Sequence, residues 1–289
     1  MGIVNAFPQA IKKKEDVYGL HINGATYSDG FLISIQDGSS SSYFALSIKK
    51  ILSSVSFPKC SYVGSYAFYS CSYLTSISFP VCTEINGSAF MGCGFSVVNF
   101  PSCELVGSGA FMDCESLVTA NFPSCATIDK AAFGMCKVLA DISFPNCTLI
   151  SSSAFNNCSN LTIVNFPNVR IISDCAFDAC TNLVEVSIPA CTTIASYAFE
   201  NCKKLTSISL PSCTYINDFA FGSCIKLSAV YLLGSSVVSA GGANMFLNTP
   251  ISKSSYLGYY GSIYVPASLL DSYKTANYWS SYSNRFVGI

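Results

Sequence analysis

One short segment sets the pattern for most of the chain: Leu74-Thr75-Ser76-Ile77-Ser78-Phe79-Pro80-Val81-Cys82. Its apolar residues Ile77 and Phe79 alternate with serines, which is the period-two pattern of a half-buried strand. Pro80 then ends the strand, because proline has no amide hydrogen to donate to a neighbouring strand. The segment therefore predicts a short strand that is closed by a proline.

This pattern recurs about every 22 residues, and the prolines mark the period. Successive prolines are 22 residues apart except for one interval of 21: Pro58, Pro80, Pro101, Pro123, Pro145, Pro167, Pro189 and Pro211. The full repeat can be written L-x-x-I-x-F-P-x-C-x-x-I-x-x-x-A-F-x-x-C-x-x. The shortened repeat has lost one position near Gly94, and Phe95 stands where the other repeats have leucine.

A repeat of this length predicts an α/β solenoid in which each repeat forms one coil. Its strands must be parallel, because every coil runs in the same direction. We expect residues 85–93 to form a turn or two of helix that ends near Gly92. We also expect the strand side of the solenoid to be narrower than the return side, so that the strands line the concave face. About nine coils of 22 residues are expected, beginning at Leu52, Leu74, Phe95, Leu117, Leu139, Leu161, Leu183, Leu205 and Leu227.

The two ends of the chain depart from the repeat as caps would. We expect residues 1–50 to form an N-terminal cap or flanking segment, 51–234 the solenoid and 235–289 a C-terminal cap. Residues 263–266 resemble a last strand, and Pro266 suits the first position of a helix. The aromatic residues of this segment are expected to pack the cap against the last coil, or to anchor an interface.

Composition excludes several classes of function. The 289 residues carry 15 Lys and Arg against 16 Asp and Glu, a net charge of −1 that disfavours nucleic acid as a partner. The longest run without a polar residue, residues 89–95, is too short to cross a bilayer, so no transmembrane segment is expected. The single histidine, His21, removes most histidine-based catalysis and metal binding. Residues 1–11 show no apolar signal-peptide core.

The repeat resembles a known family. L-x-x-I-x-F-P-x-C follows the strand segment of leucine-rich repeats, and A-F-x-x-C-x-x-L is similar to the bacterial BspA-like, or treponemal-type, subclass. Residues 264–268 also resemble the tails of such proteins from gut bacteria. The resemblance implies a surface-exposed or secreted bacterial protein that binds host proteins or other cells, with no shared catalytic residues.

Sixteen cysteines invite a metal or disulfide interpretation, but their spacing favours another one. No C-x-x-C pair occurs, and zinc sites need such close pairs. Fifteen of the cysteines instead recur at two fixed repeat positions, as two stacks of buried thiols would. Such thiols can donate weakly to turn carbonyls. Disulfides between neighbouring coils remain the alternative. Cys175 lies outside both stacks and is expected to be the most exposed thiol.

The residues that flank the buried strand positions are expected to form the binding surface. They are short and mostly neutral, and could bind a protein or a glycan. The alternative is a solvated sheet face without a ligand. The central candidates are Thr119, Asn121, Asp141, Ser143, Asn165, Glu185, Ser187, Ser207 and Ser209.

These features predict a non-catalytic binding module without a cofactor or metal. The resemblance implies that it mediates protein binding or cell adhesion at the cell surface or outside the cell. A structural scaffold, such as a stalk or a phage-tail-like fibre component, is the alternative. A glycan-processing enzyme would need paired acids. Asp141 and Glu185 lie two coils apart in one row, at about 9–10 Å. Neither residue is expected in an apolar pocket that would raise its pKa.

Overall fold

The computed structural model describes residues 53–252 and 260–289, together with the backbone of two antiparallel strands, Leu20–Ile22 and Ile33–Ile35. The chain forms two compact units, Met1–Phe144 and Pro145–Ile289. Apart from those two strands, the expected N-terminal cap of residues 1–50 and the first coil start, Leu52, lie outside the described residues.

Each repeat contributes one long strand of three residues, as the alternation predicts. In the first unit, Ser54–Ser56 pairs with Ser76–Ser78, and Val97–Asn99, Thr119–Asn121 and Asp141–Ser143 form a second sheet. In the second unit, Ile163–Asn165 pairs with Glu185–Ser187. A further sheet contains Ser207–Ser209, Ala229–Tyr231, Ser262–Val265 and Phe286–Gly288. All these pairs are parallel, and the parallel strand ladder is confirmed.

Each repeat also contributes a short strand of two residues, which the sequence did not predict. In the first unit the short strands form one parallel sheet: Tyr62–Val63, Glu84–Ile85, Leu105–Val106 and Thr127–Ile128. In the second unit they form another: Leu149–Ile150, Ile171–Ile172, Thr193–Ile194, Tyr215–Ile216 and Ser239–Ala240. Within each unit this second ladder is continuous, whereas the long strands form two separate sheets.

The prediction that residues 85–93 form a turn or two of helix is wrong. The segment forms turns, and its amide groups bond to the next coil: Phe90 N–H donates to the Ala110 carbonyl at 2.8 Å, and Gly92 N–H to Met112 at 2.9 Å. Ser88 and Gly92 both have positive φ, at 54° and 70°. A left-handed residue interrupts a right-handed helix, so hydrogen bonds between coils replace those within a helix.

The same two turn positions are left-handed in eight successive repeats, two residues before and two residues after the phenylalanine of the A-F pair. Only Gly92 and Gly109 supply glycine there. The other positions are Tyr66, Ser70, Ser88, Asp113, Ala131, Met135, Ser153, Asn157, Cys175, Ala179, Tyr197, Asn201, Phe219 and Ser223. The turn geometry is therefore set by the stacked repeat rather than by local glycine content.

The phenylalanines of the repeat form the core of each unit. In the first unit, Phe90, Phe111 and Phe133 stack with ring centroids 5.2–5.3 Å apart, and each is fully buried. In the second unit, Phe177 and Phe199 stack in the same way at 5.3 Å. Stacking at this spacing buries large apolar surfaces and adds about 0.5–1.5 kcal/mol per pair. The repeated rings therefore hold consecutive coils in register.

Gly94 shows how the fold absorbs the 21-residue repeat. A Cβ atom at this position would overlap the Ser72 carbonyl oxygen, so only glycine fits against the neighbouring backbone. The two long-strand sheets of the first unit are separated at this repeat, between Ser76–Ser78 and Val97–Asn99. The lost residue thus coincides with the place where pairing of the long strands is interrupted.

The C-terminal segment closes the second unit. After the strand Ser262–Val265, Pro266 precedes a 3-10 turn, Ala267–Leu269, the α-helix Leu270–Thr275 and a second 3-10 segment, Trp279–Arg285. The expected last strand and the helix after Pro266 are confirmed. No helix of the described residues is long and apolar enough to span a membrane.

Buried aromatic side chains attach the segment 262–289 to residues 238–246, and Phe246 stacks on Phe221 of the last repeat with ring centroids 5.5 Å apart. The indole Nε1–H of Trp279 donates to the Val238 carbonyl at 2.6 Å, and the Tyr273 hydroxyl accepts from Val238 N–H at 3.1 Å. Tyr282 is also buried, and its hydroxyl donates to the Ala243 carbonyl at 2.7 Å. Two other aromatic residues of this region, Tyr256 and Tyr259, lie outside the described residues.

Candidate functional site

The nine residues proposed from sequence all lie at the first or third position of a long strand. We call these nine residues the long-strand surface: Thr119, Asn121, Asp141, Ser143, Asn165, Glu185, Ser187, Ser207 and Ser209. The middle residue of a strand points the other way, and Ala120, between two of them, is fully buried. The alternation of the strand thus places each candidate side chain toward solvent.

In the first unit, four of these residues form two rows across neighbouring strands. Thr119 is the register partner of Asp141, and Asn121 is the register partner of Ser143. Asn121 Nδ2 also donates to Asn99 Oδ1 at 2.8 Å, which fixes the orientation of both amides. Each amide retains further hydrogen-bonding capacity for a ligand. The first unit therefore presents ordered amide, hydroxyl and carboxylate groups on one face.

In the second unit the remaining five residues fall in two sheets. Asn165 is the register partner of Ser187. Ser207 and Ser209 belong to the other sheet, where they pair with Ala229 and Tyr231. The long-strand surface is therefore a set of short rows rather than one uninterrupted ladder.

Two tyrosines that were not among the nine candidates also lie in these rows. Tyr231 pairs with Tyr264, and their rings stack with centroids 4.6 Å apart and an interplanar angle of 10°. Tyr231 occupies the same repeat position as Ser209, and the repeat therefore places it in this row. Tyr264 follows Tyr231 by 33 residues rather than 22, so the 22-residue period does not place it in this row.

The long-strand surface carries two carboxylates. Asp141 and Glu185 are both exposed, and they belong to different units. In the described part of the chain, no group of three or more His, Cys, Asp or Glu side chains is arranged to hold a metal ion. The chemistry that this surface offers is hydrogen bonding.

The cysteines form two sets of thiols that donate to backbone carbonyls. In the first set the thiol bonds to the carbonyl two residues ahead, as Cys103 does to Leu105 at 3.2 Å. In the second set the thiol donates to the backbone carbonyl of the phenylalanine in the preceding coil. Cys136 donates to the Phe111 carbonyl at 3.1 Å, and Cys202 donates to the Phe177 carbonyl at 3.3 Å. The expected donation to turn carbonyls is confirmed, and all sixteen cysteines are free in the structure.

Burial makes most of these thiols unreactive. Desolvation raises the pKa of Cys82 to about 12 and that of Cys191 to about 11, so both remain neutral at physiological pH. Cys175 alone is partly exposed, as expected. Partial burial raises the pKa of its thiol, and nearby carboxylates, chiefly Asp178 and Asp174, raise it further.

Comparison with solved structures finds bacterial leucine-rich repeat proteins. One from Bacteroides ovatus ATCC 8483 is 17% identical with a TM-score of 0.38, over 94% of this chain and 99% of the other. A leucine-rich cell surface protein from Faecalibacterium prausnitzii A2-165 is 20% identical with a TM-score of 0.33, over 83% of each chain. The pneumococcal vaccine antigen PcpA is 14% identical with a TM-score of 0.31, over 82% of this chain and 78% of the other.

A search of curated proteins finds none that matches the chain. The family model for the BspA type leucine-rich repeat region matches residues 40–162 and 148–264, which together cover most of the sequence. The parallel strands and the repeated A-F-x-x-C turns agree with that match. The chain therefore belongs to the family of BspA-type leucine-rich repeat proteins.

Proposed function

We propose that this protein is a non-catalytic binding module of a bacterial surface or secreted protein, which mediates protein binding or cell adhesion through the long-strand surface. The observation that carries the proposal is the repeated presentation of short polar side chains at the same strand positions. Asn121 and Asn165 illustrate it, since each lies at the third position of its strand, where Asn165 is exposed and Asn121 is partly exposed.

Short side chains favour binding for two physical reasons. A partner can approach the strand backbone closely where serine and asparagine replace longer residues. Few rotatable bonds are immobilised on binding, which lowers the entropic cost by about 0.5–1.5 kcal/mol for each long side chain avoided. The surface is therefore suited to an extended, complementary protein partner.

The low charge of this surface determines how binding should respond to salt. Asp141 and Glu185 are the only charged members of the nine. Electrostatic steering therefore contributes little, and affinity should change only weakly with ionic strength. Useful affinity then depends on contacts with several repeats at once, or on several copies displayed on one surface.

The proposal is tested by adding charge and bulk to the surface. We expect Asn121→Arg, Asn165→Arg and Ser187→Arg, combined in one variant, to abolish binding to purified extracellular-matrix proteins that the wild type captures in biolayer interferometry. Thermal stability should be nearly unchanged, because these side chains do not contribute to the core. The control is Ser212→Arg, which adds the same side chain at an exposed turn.

Unchanged binding by the triple variant would contradict the assignment of the surface. The cellular part of the proposal has a separate test, namely brief protease treatment of intact cells of the native organism. A surface or secreted protein should be cleaved, or recovered in the medium, while cytoplasmic markers remain intact. Retention of the whole protein inside protease-treated cells would contradict that assignment.

A further inference from the structure

The last long strands of the second unit carry an aromatic platform. Tyr231 and Tyr264 are register partners whose ring centroids are 4.6 Å apart, close to the strand spacing of about 4.8 Å. The rings are nearly parallel and both are partly exposed. Each ring therefore directs its faces along the ladder, toward the strands on either side.

Among the described residues, this arrangement leaves one face of Tyr231 open. Tyr264 covers the face toward the C-terminal strands, while the opposite face lies beside Ser209, the register partner on the other side. Ser209 is exposed, and its single hydroxyl is too short to cover an aromatic ring. Backbone hydrogen bonds hold the strands in place. Leu210 N–H donates to the Tyr231 carbonyl at 2.8 Å, and Leu232 N–H donates to the Tyr264 carbonyl at 2.9 Å. The open ring face is thus preorganised.

Two lysines stand near the start of the same strands. Lys204 and Lys226 occupy one repeat position, three residues before Ser207–Ser209 and Ala229–Tyr231 respectively, and both are exposed. Among the described residues neither forms an ion pair with a carboxylate. Like charges at equivalent positions of consecutive coils repel each other, and an anion would relieve that repulsion.

We propose that this end of the second unit binds an acidic saccharide. The apolar C–H face of a pyranose ring would stack on the open face of Tyr231, and its rim hydroxyls would bond to Ser207 and Ser209. A carboxylate on a neighbouring sugar would reach Lys204 and Lys226. Tyr231 lies five positions after Lys226, at most about 17 Å of extended chain, which an oligosaccharide can span.

Neutral hydroxyls, one aromatic face and a nearby pair of cations match a sugar acid better than an apolar peptide. An apolar peptide would leave the serines and lysines without partners. The site shares Ser207 and Ser209 with the long-strand surface, but it does not depend on the proposed protein binding. Its ligand, its aromatic platform and its lysine pair are all different.

The test uses a hyaluronan hexasaccharide, which is carboxylated, and cellohexaose, which is neutral, in isothermal titration calorimetry. We expect the hyaluronan hexasaccharide to bind more tightly. Tyr231→Ala should weaken its binding about tenfold, as loss of an aromatic stacking contact does. Tyr231→Phe should bind within twofold of the wild type, since the ring face is retained. Lys204→Gln combined with Lys226→Gln should weaken binding and remove most of its salt dependence.

Matched changes elsewhere give the controls. Tyr73→Ala and Lys130→Gln alter exposed residues of the first unit and should leave saccharide binding unchanged. Asn165→Arg, which tests the protein-binding proposal, should also leave it unchanged, so the two proposals can fail separately. Absence of hyaluronan binding, or equal binding by wild type and a folded Tyr231→Ala protein, would overturn the site. Equal affinity for cellohexaose would overturn the acidic ligand.

Discussion

Replacing Ala131 by glycine should stabilise this protein, while the same change at the next residue should destabilise it. Ala131 has a φ of 53°, in the left-handed region. That conformation costs an L-residue about 1–2 kcal/mol, and glycine adopts it without that cost. Glycine also makes the unfolded chain more flexible, which opposes folding by about 0.4–1 kcal/mol. The net expectation for Ala131→Gly is a stabilisation of roughly 0.5–1 kcal/mol.

Ala132 provides the matched control, because the neighbouring alanine is fully buried and has no positive φ. Ala132→Gly removes a buried methyl group, at about 0.8 kcal/mol. It also adds backbone flexibility to the unfolded state without relieving any strain, at about 0.5–1 kcal/mol. The expected destabilisation is therefore about 1.5 kcal/mol.

Urea unfolding followed by far-UV circular dichroism measures both effects in one experiment. Ala131→Gly should move the midpoint to higher urea and Ala132→Gly to lower urea. The two variants should differ by about 2 kcal/mol. If Ala131→Gly destabilises the protein as much as Ala132→Gly does, the left-handed turns are not strained, and our account of the turn geometry is refuted.

Three further predictions concern the glycine and cysteine positions. Gly94→Ala should destabilise the protein by about 1–3 kcal/mol in the same assay, because its Cβ would overlap a neighbouring carbonyl, whereas Gly234→Ala should be nearly neutral. Cys136→Ser should lower the free energy of unfolding by about 1–3 kcal/mol, because the shorter hydroxyl fits a buried thiol site poorly. Cys175→Ser should leave it nearly unchanged. Equal urea midpoints for the two variants would refute this prediction. When native protein is treated with iodoacetamide at pH 8, mass spectrometry should detect modification of Cys175 before that of any other cysteine. Asp174→Asn should accelerate this reaction, because it removes a carboxylate that raises the pKa of the Cys175 thiol. Equally fast modification of Cys136 would contradict this order.

The long strands could be predicted because their physical signal is local and repeated. In the segment Ser76–Ser78, one inward isoleucine lies between two outward serines, and the same alternation returns at a fixed interval. Parallel pairing then follows from the repeat, since equivalent residues of consecutive coils must run in the same direction. The register is confirmed where Asp141 pairs with Thr119, 22 residues earlier.

The short strands and turns could not be predicted by the same reasoning. A strand of two residues, such as Thr127–Ile128, is too short to show an alternation. The buried residues Ile128, Ala132 and Cys136 are spaced four residues apart, which resembles the pattern of a helix. Hydrogen bonds between coils decide the conformation, and they depend on the stacked neighbour rather than on the local sequence.

The candidate surface shows where a fixed repeat length stops predicting function. A residue's row follows from the period only while the period holds, as it does from Ser209 to Tyr231. The next residue in that row, Tyr264, follows after 33 residues, so the period does not find it. The row therefore changes from a short hydroxyl to two stacked rings at the place where the repeat gives way to the cap. A departure from the period thus changes the chemistry that the surface offers, and we expect ligand specificity to reside there.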